Sequence, residues 1–190
     1  MDIAVDLSGA RIETPRVIMR AFRPDDLYDF YCYAKVEGVG EAAGWSHHKT
    51  LEESERILNK FCGKRNILAL EFKENGKMIG SIGLHYSWAN DMEKYSAFSV
   101  KEIGYVLSKD YWGRGIMTET ARIFNERCLE DLRLDALTAT CFSGNPGSKR
   151  VIEKCGFQFV SQGEHYAKHL GRTLPAEKFI LFKNERTCGV

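Results

Sequence analysis

The chain has 190 residues, 44% of them hydrophobic and 28% charged, with a formal net charge of +1. That balance fits one globular domain around a single core, and it argues against a disordered chain or one recruited by nucleic acid or an anionic membrane. No apolar run approaches the roughly 18–20 residues that cross a bilayer. Six cysteines (Cys32, Cys62, Cys128, Cys141, Cys155 and Cys188) are scattered without metal-ligand spacing, so a cytoplasmic protein with reduced thiols and no metal is expected.

Residues 1–13 show no periodic pattern and are expected to be a loosely held lead-in to one domain over residues 14–190. Residues 17–22 read as a first strand. Pro24, Asp25 and Asp26 then place a proline and two acids at the start of a helix with Leu27, Phe30, Tyr31 and Ala34 on its apolar face. The glycine-rich stretch 37–49 holds Trp45, His47 and His48. It reads either as a connecting loop around a buried tryptophan or as a substrate-side loop. Thr50 and Glu53 predict a capping box for a helix through Phe61, which Gly63 ends. Strands at 67–72 and 78–86 flank Asn75-Gly76, a hairpin turn pair. Residues 87–99 carry no clear pattern.

From Glu102 to Leu107, Ile103, Tyr105 and Leu107 alternate with Glu102, Gly104 and Val106, the period of a strand. After a turn, Met117, Ala121, Phe124 and Cys128 recur at helical spacing. A strand follows at 137–142. Asn145 caps the next helix with Pro146 at its first position, and Gly156 closes it. Residues 157–160 and 178–182 read as two late strands. This order predicts an α/β (α+β) domain whose mixed, mostly antiparallel sheet has about six to seven strands and helices on both faces.

Gly113-Arg114-Gly115 lies between a strand and a helix N-terminus. There several amide N–H groups and the helix dipole converge, and glycines admit a bulky anion. A phosphate loop of the nucleotidase kind is absent. A dinucleotide fingerprint fails because Thr118 replaces the third glycine. The acid expected about twenty residues on, Asp135, begins a strand where such an acid should end one.

Trp112-Gly113-Arg114-Gly115-Ile116-Met117 resembles the Arg/Gln-x-x-Gly-x-Gly/Ala signature of the GNAT acetyltransferases, with departures at the first and last positions. Asn145-Pro-Gly-Ser148 and Glu153-Lys-Cys-Gly-Phe157 resemble a second landmark, found in the branch of ribosomal-protein N-terminal acetyltransferases. The resemblance implies acetyl-CoA as donor. Its pyrophosphate would meet Trp112, Gly113, Arg114, Gly115, Ile116, Met117 and Thr118, and its pantetheine arm would pair with Val106 and Leu107. Asn145 and Ser148 would lie beside the cofactor. Arg114 is either a phosphate contact or a solvated charge.

The resemblance also implies a general base at Glu102, which otherwise reads as the solvated start of a strand, and a general acid at Ser148, which otherwise completes a helix cap. Glu164 is the reserve base and Tyr166 the second acid. His47, His48, His85, His165 and His169 read as surface or loop histidines. The expected activity is N-acetylation of a primary amine, on a protein N-terminus or a small molecule, by a monomer or homodimer without nucleic acid, membrane or metal. A non-catalytic acyl-CoA-binding regulatory domain of the same fold is the alternative. Alkylation of the freshly purified, denatured and unreduced chain should add six adducts by intact mass; a reproducible loss of two hydrogens would contradict reduced thiols.

Overall fold

Alternate side chains of the central strands leave one sheet in opposite directions, and helices cover both faces. The computed structural model describes residues 1–183. The chain runs through β1 (Ile12–Glu13), β2 (Val17–Arg20), α1 (Leu27–Ala34), α2 (Leu51–Cys62), β3 (Ile67–Phe72) and β4 (Met78–His85). It continues through β5 (Val100–Leu107), α3 (Ile116–Asp131), β6 (Ala136–Phe142), α4 (Pro146–Lys154), β7 (Gln158–Ala167) and β8 (Arg172–Phe182). The strands form one eight-stranded sheet in the order β1-β2-β3-β4-β5-β6-β8-β7. Every neighbouring pair is antiparallel except β5 and β6. The sheet has one strand more than expected, the two-residue β1.

Leu68, Leu70 and Phe72 of β3 and Ile103 and Leu107 of β5 face α3 and α4. They pack with Met117, Ala121, Phe124, Cys128 and Ile152 into the larger core. The four-three-four spacing on α3 is the stripe that faces the sheet, and Met117, Ala121, Phe124 and Cys128 are each at most 5% exposed. Burying such side chains stabilises by about 1.5–3 kcal/mol each. On the other face, Ala69 and Met78 pack with Phe30, Tyr33 and Ala34 of α1 and Leu58 of α2. Residues 87–99 are two 3-10 turns that place Ala89 and Tyr95 against Val100, Ala136 and Ile180.

Three expectations need correction. Residues 1–13 are held, because Leu7 is buried and its N–H donates to the Arg65 carbonyl, while Ile3, Val5, Ala10 and Ile12 pack on the larger core. The two late strands are much longer than 157–160 and 178–182, because β7 and β8 form a hairpin of 10 and 11 residues. The polar run Gln162–Tyr166 is strand without apolar alternation, since β7 is an edge strand exposed on both faces and held by its ladder with β8. The capping box of α2 is half formed: Thr50 accepts from Glu53 N, but the Glu53 carboxylate accepts from Lys49 N at 2.8 Å.

Asp26 does more than begin a helix. Arg20, only 6% exposed, donates to both Asp26 oxygens at 2.9 and 2.6 Å and to Glu71 Oε2 at 2.6 Å. One guanidinium thus joins β2, β3 and the entry to α1. Arg20→Ala should lower unfolding stability by about 3–5 kcal/mol in urea titration, because it strands two carboxylates, one of them buried.

Candidate active site

The site begins where a ladder stops. β5 and β6 pair only from Val100–Ala136 to Glu102–Thr138, although β5 continues to Leu107 and β6 to Phe142. β6 stays paired with β8 along its whole length, so the gap opens on its β5 side. Ser108 N–H donates to the Ile79 carbonyl at 2.7 Å. Hydrogen-bonded and open pairs alternate in an antiparallel ladder, so Ile103, Tyr105 and Leu107 turn their peptide groups away from β4 toward the gap. Leu107 therefore stands where an extended amide chain would pair, although its carbonyl already accepts from Trp112 Nε1 at 2.8 Å. Val106, expected to pair likewise, gives its backbone to β4 and meets the cavity through its side chain.

That cavity holds about 1000 Å³ and is lined by Tyr105–Leu107, Trp112, Gly113, residues 115–118, residues 143–148 and the loop at Gly38–Ala43. Its size is at the upper end of small-molecule sites. Gly113 and Gly115 both have φ of +73°, a left-handed conformation that other residues adopt only with strain. A Cβ at Gly113 would meet nothing within 4 Å, so backbone conformation and room for a ligand, rather than packing, call for glycine. Gly115 is the N-cap of the 16-residue α3, whose first amides open onto the cavity.

The loop is fastened from outside by a pair the sequence did not reveal. Glu119 accepts from Thr14 Oγ1 at 2.6 Å and from Arg16 N and Nε at 3.0 and 2.7 Å, while Arg16 Nη1 donates to the Arg114 carbonyl at 2.9 Å. Arg114 does not serve the cavity through its side chain: its guanidinium lies over Tyr111 and Phe72, 5.2 and 5.6 Å from the ring centroids. Among the described residues, the cations that line the cavity are Lys109, Arg150 and Lys154. Lys154 was within reach of sequence reasoning, as part of the Glu153-to-Phe157 landmark.

Asn145 Oδ1 accepts from Ser148 N at 3.0 Å, as the cap predicts, and its Nδ2 donates to the Ala42 carbonyl at 3.2 Å. Ser148 Oγ is 2.9 Å from the Tyr105 hydroxyl. Burial raises the Tyr105 phenol well above its ordinary range, so it remains a proton donor at neutral pH. Tyr105 escaped notice because its alternation with Ile103 and Leu107 reads as packing alone.

Glu102 closes the paired part of β5, opposite Thr138, on the face away from Tyr105. Burial pushes its carboxyl up to about 7, against hydrogen bonds from the Thr140 side chain, the Trp88 backbone and the Thr138 side chain and the charge of Lys178. Glu164 and Tyr166, the reserve candidates, do not join this group. They share a face of β7 with Gln162, whose partner Glu177 is ion-paired with Lys149 of α4, and neither lines the cavity. They therefore project to the face opposite Glu102.

The loop before α2 roofs the cavity. The Glu41 carboxylate accepts from Gly38 N at 2.8 Å and His47 N at 3.0 Å and meets His47 Nδ1 at 2.8 Å. Burial opposes its charge, but these bonds win and hold it at about 2. His48, expected on a surface or loop, is buried with Nδ1 2.7 Å from Ser54 Oγ. Trp45 forms a bridge with His169, joining the roof to the far end of the β7–β8 hairpin.

Residues 16–158 match the family model for the acetyltransferase (GNAT) domain. The chain belongs to the GNAT acetyltransferase family. It is 25% identical over 152 residues to the uncharacterized N-acetyltransferase YoaA of Bacillus subtilis, covering 77% of this chain and 82% of that one. Its fold matches a ribosomal-protein-S5-alanine acetyltransferase from Vibrio fischeri with a TM-score of 0.71 at 16% identity, over 93% and 98% of the two chains. It also matches the microcin C7 self-immunity acetyltransferase MccE, solved with acetyl-CoA and AMP, with a TM-score of 0.73 at 14% identity over 89% and 93%. The protein is thus an N-acetyltransferase by family, and GNAT acetyltransferases use acetyl-CoA. No helix among the described residues is long and apolar enough to cross a membrane, and none of their His, Cys, Asp and Glu side chains cluster to hold a metal.

Acetyl-CoA should raise the melting temperature, since a ligand at 100 times its Kd adds about 2.7 kcal/mol. Gly115→Val should abolish that shift, and Arg114→Ala should leave it nearly unchanged; differential scanning fluorimetry reads both.

Proposed function

We propose that this protein transfers the acetyl group of acetyl-CoA to a primary amine by direct attack in a ternary complex. One observation carries the reading: at the last paired position before the β5–β6 gap, just outside the cavity lining, Glu102 holds a carboxyl at about 7 on one face of β5, and a cavity-lining Tyr–Ser hydroxyl pair lies on the other. A thioester held in that gap would have a base on the acceptor side and a proton donor on the sulfur side. The amides at Gly113–Thr118 and the cations Lys109, Arg150 and Lys154 suit the pyrophosphate and phosphate of the donor.

In this reading Glu102 removes the proton of the acceptor ammonium as nitrogen attacks the thioester carbonyl. Ser148 Oγ gives its proton to the departing thiolate and regains one from the Tyr105 hydroxyl through their shared hydrogen bond; the second proton that the nitrogen sheds on becoming an amide returns, through solvent, to the Tyr105 phenolate. The likeness to the Vibrio fischeri ribosomal-protein acetyltransferase supports a protein N-terminus as acceptor. The open roof of short side chains, Gly38 and Ala42–Ala43, supports a small amine equally well.

Release of CoA from acetyl-CoA with a panel of amines and N-terminal peptides tests the reaction; release with none of them would favour a binding domain without turnover. With the acceptor in hand, Glu102→Gln should lower kcat by roughly 10²–10⁴-fold at neutral pH. The deficit should shrink toward pH 9.5, where the free amine is abundant. Stability gives an independent reading. A carboxyl raised from 4.5 to about 7 binds its proton more tightly folded than unfolded, so the parent loses stability as pH rises from 4.5 to 7 and stays penalised above. Glu102→Gln should therefore melt higher than the parent at pH 8, with the gain vanishing near pH 4.5. A rate within about threefold of the parent at neutral pH would remove Glu102 from the mechanism.

A further inference from the structure

An ammonium and a thioester yield an amide, a neutral thiol and one proton, which must reach water in every turnover. Glu102 is less well placed to deliver it than its neighbour His85, being only partly exposed where His85 is exposed. Its carboxylate is hemmed by Thr138 and Thr140 of β6 and the Trp88 backbone, at the closed end of the gap. Beyond it, Lys178 of β8 lies with Nζ 5.2 Å from the Trp88 ring centroid.

His85 stands on the open side. It is paired directly with Glu102 across β4 and β5, so the two side chains share one face. The imidazole leans along β5: its Cδ2 and Nε2 both lie 2.9 Å from where a Cβ on Gly104 would stand. Gly104 follows Glu102 by two residues on the same face, so the ring covers the strand between Glu102 and Val106, which lines the cavity. Only glycine leaves the ring that place. His85 keeps solvent contact. Displaced water, then the cations of Lys64 after α2 and Lys101 of β5, hold its imidazole below the usual histidine range. Lys101 is in turn paired with Asp2 at 2.7 Å. The ring is neutral at pH 7, with one nitrogen free to accept.

We propose that His85 relays the proton from Glu102 to water. The carboxyl O–H of Glu102 breaks, its proton joins the unprotonated ring nitrogen of His85, and the imidazolium gives up a proton to solvent; no other bond changes. This role rests on Glu102 as base.

His85→Gln keeps a polar side chain of similar reach and carries no proton. It should lower kcat at pH 7 at least about tenfold with the KM for acetyl-CoA within about twofold. Added imidazole should restore the rate in proportion to its free-base concentration, which a packing defect would not allow. Gly104→Ala, which drives the ring from its seat, should show a kcat loss of the same kind. A rate within about threefold of the parent, or a loss that imidazole leaves untouched, would overturn the relay.

A second measurement does not depend on turnover. The His85 ring signals, assigned with His85→Gln, should show an extra inflection near pH 7 in the parent from ionisation of Glu102. That inflection should be absent in Glu102→Gln. If the parent lacks it, the two groups do not communicate and the relay is wrong. If it is present but no amine releases CoA, the contact stands and the acetyl-transfer reading is the one that falls.

Discussion

The early end of the β5–β6 ladder is the constraint on which the rest of this molecule depends. A parallel pair that continued past Glu102 and Thr138 would satisfy its own peptide groups and leave no room for a substrate. Because β6 spends its other edge on β8 throughout, the sheet stays coherent while a slot opens through it. The slot gives access to both faces of β5 at once. Adjacent strand residues project oppositely, and in the proposed reaction that alternation becomes a division of labour: carboxyl chemistry on the α1–α2 side, hydroxyl chemistry on the α3–α4 side.

The two sides of the slot differ in polarity, as the proposed roles require. Tyr105 sits among core residues that keep its phenol protonated, and it meets Ser148 at the capped start of α4. Glu102 is ringed by threonine hydroxyls and a distant cation, enough to orient the carboxylate but too little to offset its desolvation. A stronger partner, such as a directly paired arginine, would pull it down toward the range that Glu41 occupies and leave it too weak a base for an ammonium.

Much of this was legible in the residues. The stripe on α3, the Asn75-Gly76 hairpin, the Asn145 cap and the strain-free use of glycine at 113 and 115 follow from local chemistry, and local chemistry is what a sequence displays. What stayed hidden depends on distant partners. Arg114 read equally as a phosphate contact or a solvated charge, and neither reading foresaw Phe72 and Tyr111 beneath its guanidinium. Glu119 sits in a helix's first turn, where any acid is welcome, so nothing marked it as the anchor of Thr14 and Arg16. The β7 edge has no buried face, so the alternation that announces a strand was never written there. Glu102 was legible as an anomaly, a carboxylate in an apolar strand, but not its neighbours across three strands.

Asn145 has two hands, and they hold different halves of the enzyme. Its oxygen fixes the first turn of α4 beside Ser148, and its amide holds the Ala42 carbonyl in the loop that roofs the cavity. A ligand that stiffens either end removes part of the ordering cost at the other. Linkage then makes the effect mutual: whatever factor the donor contributes to acceptor affinity, the acceptor returns to the donor. A single amide group thus ties the start of α4 to the loop that roofs the cavity, so that in the proposed ternary complex the affinities of the two substrates would be linked.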